Sequence, residues 1–243
     1  NWANAWQLKL NPIKTNVLTI GTARIDSKYF LNGSLVQKVD RICDIGITVQ
    51  SNLKNTIHCN KLIQKAHFSM KNIFNTFKGH SAEFYVKLYV SYVRPILESA
   101  CQVWSPIIKD NIDSIESVQR YFTRRLPGMR DVPYLQRLNR LNLESLERRR
   151  MQHDLVLFYK VIHNKTIVNL HNSFRFINSY RGHNRTLFLH FSRTDKRKFY
   201  FINRIVSLWN NLSYECVNAT SISVFKDKLS YCILPGRGSI YCE

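Results

Sequence analysis

Joining nucleotides through phosphoryl transfer needs carboxylates that together hold two divalent ions a few ångströms apart. The chain offers two acidic groupings to weigh against that need: Asp40 with Asp44, and Asp110, Asp113 and Glu116. The second opens a predicted helix, where negative charge is favourable at the positive end of the dipole without any metal. The first reads as two solvated charges beside a strand, and no two Asp are adjacent anywhere. Structural zinc wants close Cys pairs with spaced His. The nearest cysteines, Cys232 and Cys242, have nine residues between them and no His nearby, and His183 and His190 lack Cys partners. Neither a Gly-rich phosphate loop nor a local Ser-His-Asp or Cys-His signature occurs, although folding can assemble such triads from distant segments.

Cations carry the stronger signal. Residues 120 to 150 hold nine arginines against three acids. Helical spacing of four pairs Glu116 with Arg120, Glu144 with Arg148, and Arg150 with Asp154. Arg124, Arg125, Arg137, Arg140 and Arg149 have no such partner within one predicted helix, so they are the candidates for phosphate, which the planar guanidinium fork matches. Lys61 and Lys65 form a second set on one side of a predicted helix, placed to neutralise phosphates without reading sequence. Tyr89, Tyr92, Trp104, Tyr121 and Phe122 have rings that can stack on bases, but their spacing among apolar residues assigns them to core packing. Lys plus Arg exceed Asp plus Glu by 36 to 16, a net +20 that favours a polyanionic partner. The first hundred residues are Lys-rich, the second hundred Arg-rich, and the last 43 nearly neutral.

Two hundred and forty-three residues, 44% of them hydrophobic, allow one large domain or two small ones with a packed core. No signal-peptide pattern opens the chain. Lys or Arg interrupts each apolar stretch short of a membrane span, so no membrane partner is expected. Six scattered cysteines suit reduced thiols. Cytoplasm or nucleus is the expected compartment.

Positioning these groups falls to a mainly α fold with a small N-terminal α+β part. Trp2 to Leu10 predicts a helix stopped before Pro12, and Val17 to Ile20 a short strand. Tyr29 to Val36 predicts a hairpin turning at Asn32-Gly33. Ile45, Ile47 and Val49 alternate as a strand. From residue 56 the period becomes helical: Cys59, Leu62, Ile63, Ala66, Met70, Ile73, Phe74 and Phe77 form a stripe, with Lys54, His58, Lys61 and Lys65 away from it. A second helix starts at Ser81, is central because it is apolar almost all round, and is kinked or ended by Pro95. A third runs from Ile112 to Arg125. A fourth runs from an Asn142 cap to His163. Residues 164–198 read as a long loop or short strands.

Three blocks add identity to this reading: KLYVSYVRPILESACQVWSP from residue 87, IESVQRYFTRRLPG from 115, and YLQRLNRLNLESLERRR from 134. With W6-Q-L-K-L-N-P-x-K14-T before them, and F201-x-x-R204, L208-W-N-x-L212 and S221-x-x-x-F225-K-x-x-L229 after, the chain resembles reverse transcriptases of non-LTR retrotransposons, the jockey and chicken-repeat type of LINE element. The matches fall in order over nearly the whole length. The resemblance implies three regions: a palm remnant over residues 1–53, with an antiparallel sheet and a primer-grip-like hairpin; a helical thumb over 54–130; and a helical C-terminal region over 131–243. It implies an RNA template and cDNA primer duplex as partners, gripped through phosphates. In the family the catalytic aspartates precede the matched segment. The chain therefore reads as a C-terminal fragment, inactive alone, whose missing upstream palm and fingers would carry the polymerase chemistry. No cofactor is expected in the fragment, and Mg²⁺ is expected for the intact parent. Lys14 matches the family's Asn-x-x-Lys-Thr lysine, which implies an accessory cation near the incoming nucleotide. Asp44 aligns before the turn at Gly46, where Ile45-Gly46 replaces the family's usual Leu-Gly. Two other readings stand beside this one: a host-adopted DNA-binding module using Val118 to Arg125 in the major groove, and a decayed retroelement product with no role.

Overall fold

The computed structural model describes residues 5–7, 10–21, 27–177 and 183–238. Its contacts separate two compact units, Asn1–His58 and Cys59–Glu243; the expected division at residue 130 falls inside the second. The chain is mainly helical with a small N-terminal strand region. The helix expected from Trp2 to Leu10 lies largely outside the described residues.

In the first unit, β1 (Asn16–Leu18) pairs with β4 (Gln37–Val39). The pairing is parallel, where an antiparallel sheet was expected. β2 (Phe30–Leu31) and β3 (Ser34–Leu35) form the expected hairpin. Asn32 and Gly33 stand between them at φ 52° and 78°, the left-handed pair that a two-residue I′ turn demands. β5 (Arg41–Asp44) and β6 (Ile47–Gln50) form a second hairpin of the same kind, closed by Asp44 opposite Ile47. This corrects the placement of Ile45. It is a turn residue at φ 44°, 96% exposed, and the strand begins at Ile47. Gly46 accepts the left-handed geometry readily; β-branched Ile45 does so under strain.

α1 (Thr56–Thr76) buries Cys59, Leu62, Ala66, Met70 and Ile73, five members of the predicted stripe. His58 departs from expectation: it is 3% exposed and accepts the Thr48 N–H of β6 at 3.3 Å through Nδ1. Periodicity could not show a need that comes from a strand backbone ten residues away. α2 (Ala82–Leu88) is capped by Ser81, whose Oγ accepts from the Phe84 N–H. Pro95 does not end the helical run. A π turn over Tyr89–Val93 adds a residue just before it, the Arg94 N–H reaches back to the Tyr89 carbonyl, and α3 (Arg94–Glu98) continues. Tyr89, Val93 and Leu97 are fully buried, as a central helix requires.

α4 (Cys101–Trp104) and α5 (Lys109–Arg124) come next, then a short α6 (Tyr134–Arg140) and α7 (Leu146–Ile162). The cap of α7 is Ser145, accepting from the Arg148 N–H at 3.2 Å, and Asn142 instead takes a left-handed bend at φ 50°. The described residues between 164 and 198 form short pieces: a 3₁₀ turn, the β7–β8 pair (Phe176–Ile177, Thr186–Leu187) and α8 (Asp195–Lys198). α9 (Phe201–Asn210), α10 (Tyr214–Val217) and α11 (Ile222–Ser230) complete the unit.

The C-terminal motifs have structural work to do. Arg204 grips Asp154 on α7 with Nε at 2.7 Å and Nη2 at 2.8 Å. Trp209 is fully buried edge-on to Phe158, and its Nε1–H donates to the Arg185 carbonyl at 2.9 Å. Asn210 accepts from the Leu187 N–H and donates to the Leu187 carbonyl, docking β8 on α9. Phe225 stacks on Tyr159 at 4.3 Å, and Ser221 caps α11. One core thus ties α7, β8, α9, α10 and α11 together.

Candidate nucleic-acid interface

Helix α1 supplies the first element. Its 21 residues contain three lysines and two histidines and no acid. Burial of the stripe turns Lys61, Lys65 and Lys71 outward, all exposed. Lys61 and Lys65 were expected; Lys71, next to buried Met70, is a third lysine on the exposed side of the helix. These lysines occupy two sides of the exposed arc. Lys65 flanks a shallow groove with Gln64, Phe68, Ser69 and Asn72 against Ile96 of α3. Lys71 and His67 face Tyr121 and Arg125 at the end of α5, with Met70 and Phe74 also lining that cleft.

The end of α5 supplies the second element. Arg125 donates through Nη1 to the Tyr121 hydroxyl at 2.5 Å and lies over the Phe74 ring at 4.7 Å. Tyr121 is held edge-on to His67 at 5.6 Å. The guanidinium is therefore oriented by aromatic faces yet stays exposed, which preorganises it for an anion at small entropic cost. Arg124 and Arg140 are exposed too. Among the described residues, Lys65, Arg124, Arg125 and Arg140 form no ion pair.

Two predicted contacts are otherwise engaged. Arg137 is 5% exposed and donates to Thr123 Oγ1 at 3.1 Å, the Val132 carbonyl at 2.7 Å and the Arg120 carbonyl at 3.3 Å. It closes the bend between α5 and α6, and no fork remains for a phosphate. Arg149 is held on both oxygens of Glu98 and approaches Glu144 at 3.8 Å. Of the predicted helical pairs, Glu144–Arg148 forms at 2.8 Å. Glu116 instead accepts from the Tyr134 hydroxyl at 2.5 Å and the Leu146 N–H at 2.9 Å. Burial pushes its carboxyl up, against the pull of Tyr134 and Arg150. Asp154 takes Arg204 rather than Arg150.

Lys14 is exposed in a turn built by Asn11, whose Oδ1 accepts from the Ile13 N–H at 2.9 Å and the Lys14 N–H at 3.4 Å. Asp40 and Asp44 are exposed at the two ends of β5. Four residue steps of extended chain separate them by about 13 Å, too far to share a metal pair. Among the described residues no three His, Cys, Asp or Glu side chains converge as metal ligands. Tyr89, Trp104 and Phe122 are fully buried, as core packing predicts, whereas Tyr92 and Tyr121 are 62% and 44% exposed.

Folding does assemble one triad-like line. Cys101 Sγ lies 3.5 Å from His153 Nδ1, and His153 Nε2 lies 3.9 Å from Glu98. A thiolate nucleophile needs exposure and a lowered pKa. Cys101 has neither: it is fully buried, and burial pushes its thiol up to about 12. The line is a packing contact.

No helix among the described residues is long and apolar enough to cross a membrane. No family model matches the chain, and no solved structure matches it. A protein of Caenorhabditis elegans described as uncharacterized is 24% identical over 126 residues, covering 51% of this chain. The aligned part spans 64% of that relative's length.

Proposed function

We propose that this chain is the template-primer-gripping, C-terminal part of a non-LTR retrotransposon reverse transcriptase, binding an RNA–DNA duplex through its phosphates. The observation that carries the reading is the acid-free, lysine-bearing outer face of α1 beside the exposed arginines of α5. Supporting it is the ordered run of family-like blocks from residue 6 to residue 229. Lys61, Lys65, Lys71, Arg124, Arg125 and Arg140 are the proposed phosphate contacts. From Lys61 to Phe74, where Arg125 packs, α1 rises about 20 Å, a length that several successive phosphates can follow.

Contacts of this type neutralise charge and fix the duplex without reading bases. In the intact polymerase, upstream carboxylates holding Mg²⁺ would supply the phosphoryl-transfer chemistry. Lys14 would stand as an accessory cation there. The described residues do not fit a two-metal site, so no step is assigned to them. Its working compartment would be wherever the element copies itself, cytoplasm or nucleus.

Gel shifts with RNA–DNA hybrid, random DNA duplex and duplexes enriched by selection test the proposal. Binding without sequence preference, somewhat tighter for the A-form hybrid, is expected. A strong preference for one selected DNA sequence would instead establish a base-reading module. Absence of binding at low salt to all three would reject both.

A further inference from the structure

Between β8 and α9 the chain carries a run of exposed cations, Arg193, Lys196, Arg197 and Lys198, against one acid, Asp195. The run folds as α8, capped by Thr194, whose Oγ1 accepts from the Arg197 N–H at 3.4 Å. Buried Asn203 of α9 donates through Nδ2 to the Arg197 carbonyl at 2.7 Å and to Ser192 Oγ at 3.2 Å. The backbone of α8 is thereby pinned, while the Arg197 side chain stays in solvent.

A cavity of about 470 Å³ lies beside it, within the roughly 300–1,000 Å³ of small-molecule sites. Arg175, Arg197, His190 and Tyr200 line it together with Asn172 and Ser173, and among the described residues no Asp or Glu does. Arg175 is positioned twice over. Its carbonyl accepts the Phe188 N–H at 2.9 Å, and its guanidinium lies over the Phe188 ring at 4.5 Å. His190 sits edge-on to that same ring at 4.9 Å. Both arginines are exposed, and among the described residues neither forms an ion pair. Tyr200 is 50% exposed, and among the described residues its ring stacks on no other.

Two unpaired guanidinium forks match phosphate oxygens, and an exposed aromatic face in the same recess matches a base. Bases inside a duplex are covered by their neighbours; only an unpaired base can splay out onto a side-chain ring. Outside the recess, Arg193, Lys196 and Lys198 add the charge that flanking phosphates of a strand would meet. A lone phosphate or a small acid would leave those three without a role.

We infer that this surface binds single-stranded nucleic acid, one nucleotide entering the recess with its phosphate on Arg175 and Arg197 and its base on Tyr200. Stacking accepts any base, so binding is tolerant of sequence. The surface shares no residue with the proposed duplex face on α1 and α5 and does not rest on that reading. No bond is made or broken.

Fluorescence anisotropy of labelled hexauridylate at physiological salt tests it. Saturable binding is expected, weakened about fivefold or more by Tyr200→Ala, as loss of one base–ring stack requires. Tyr200→Phe keeps the ring and should retain most of the affinity. Arg175→Gln with Arg197→Gln should flatten the log–log salt slope by up to about 1.4, the single-strand value for two phosphates. Lys61→Gln with Lys65→Gln should leave hexauridylate affinity unchanged. Polyglutamate of equal charge should compete far less well than unlabelled hexauridylate. Photocrosslinking of a 5-iodouridine hexamer to the unaltered chain needs no variant to fold, and its adducts should map to Tyr200 or His190. No hexauridylate binding, full affinity in Tyr200→Ala, equal competition by polyglutamate, or adducts confined to α1 and α5 would overturn the inference. Failure here with RNA–DNA hybrid still bound would reject this surface alone and leave the duplex face standing.

Discussion

Arg149 and Glu98 are joined at two points, Nε to Oε1 and Nη2 to Oε2, the latter at 3.0 Å, across 51 residues of sequence. The contact fastens α7 to α3. It also engages an arginine whose sequence neighbours hold no helical partner for it.

That relationship separates stability from binding. Arg149→Gln should destabilise the fold by about 2–4 kcal/mol, because Glu98 (side chain 9% exposed) loses the guanidinium that holds both its oxygens, leaving Arg94 at 4.0 Å and His153 at 3.9 Å. It should leave the salt dependence of duplex binding unchanged. Arg124→Gln with Arg125→Gln should do the reverse, with a small stability change and a shallower salt slope. Chemical denaturation and a salt titration on each variant check this pairing of effects. Equal loss of binding from Arg149→Gln would return that residue to the interface.

Ile45 gives a stabilising prediction. A fully exposed β-branched residue at φ 44° gains nothing from its side chain and is strained by its backbone. Ile45→Asn, which tolerates the left-handed region, should stabilise the β5–β6 hairpin by about 1 kcal/mol. Hydrogen exchange of the β5–β6 amides should slow accordingly. Faster exchange would contradict the turn geometry.

His153 sets a pH dependence. Burial holds its imidazole below the ordinary 6.5, against the pull of Glu98. A base with a depressed folded pKa contributes stability that is full above its unfolded value and lost as pH falls through the folded one. The melting temperature should therefore drop below about pH 6.5, and His153→Gln should flatten part of that decline. An unaltered acid limb in the variant would exclude His153 as its source.

The helices were legible because α1 and α5 obey simple rules: a stripe at helical spacing, and acids at the N-terminus of α5. The hairpin at Asn32-Gly33 was legible because few residues accept two successive positive φ angles. Illegible were features whose cause lies far along the chain. His58 is buried for Thr48, Arg149 for Glu98, and Glu116 leaves its helical neighbour for Tyr134 and Leu146. Local spacing cannot register a partner 30 or 50 residues away. The same limit hid the pairing of Asp154, for which sequence spacing offered Arg150 and the fold supplied Arg204. Of the two outcomes expected at Pro95, a kink or an end, the helix does not end, because one inserted π turn offsets the missing N–H.

The measurement that bears most directly on the proposed role is the salt dependence of RNA–DNA hybrid binding by the wild-type chain and by Lys61→Gln with Lys65→Gln. Gln keeps helix propensity, so the fold should survive, and a melting curve verifies it. Each neutralised phosphate contributes a log–log slope of about −0.7 to −0.9. The account predicts a steep wild-type slope, flattened by up to about 2 in the double variant, with affinity reduced alike for every sequence. A slope identical in the two proteins, or a wild-type affinity insensitive to salt, would contradict it.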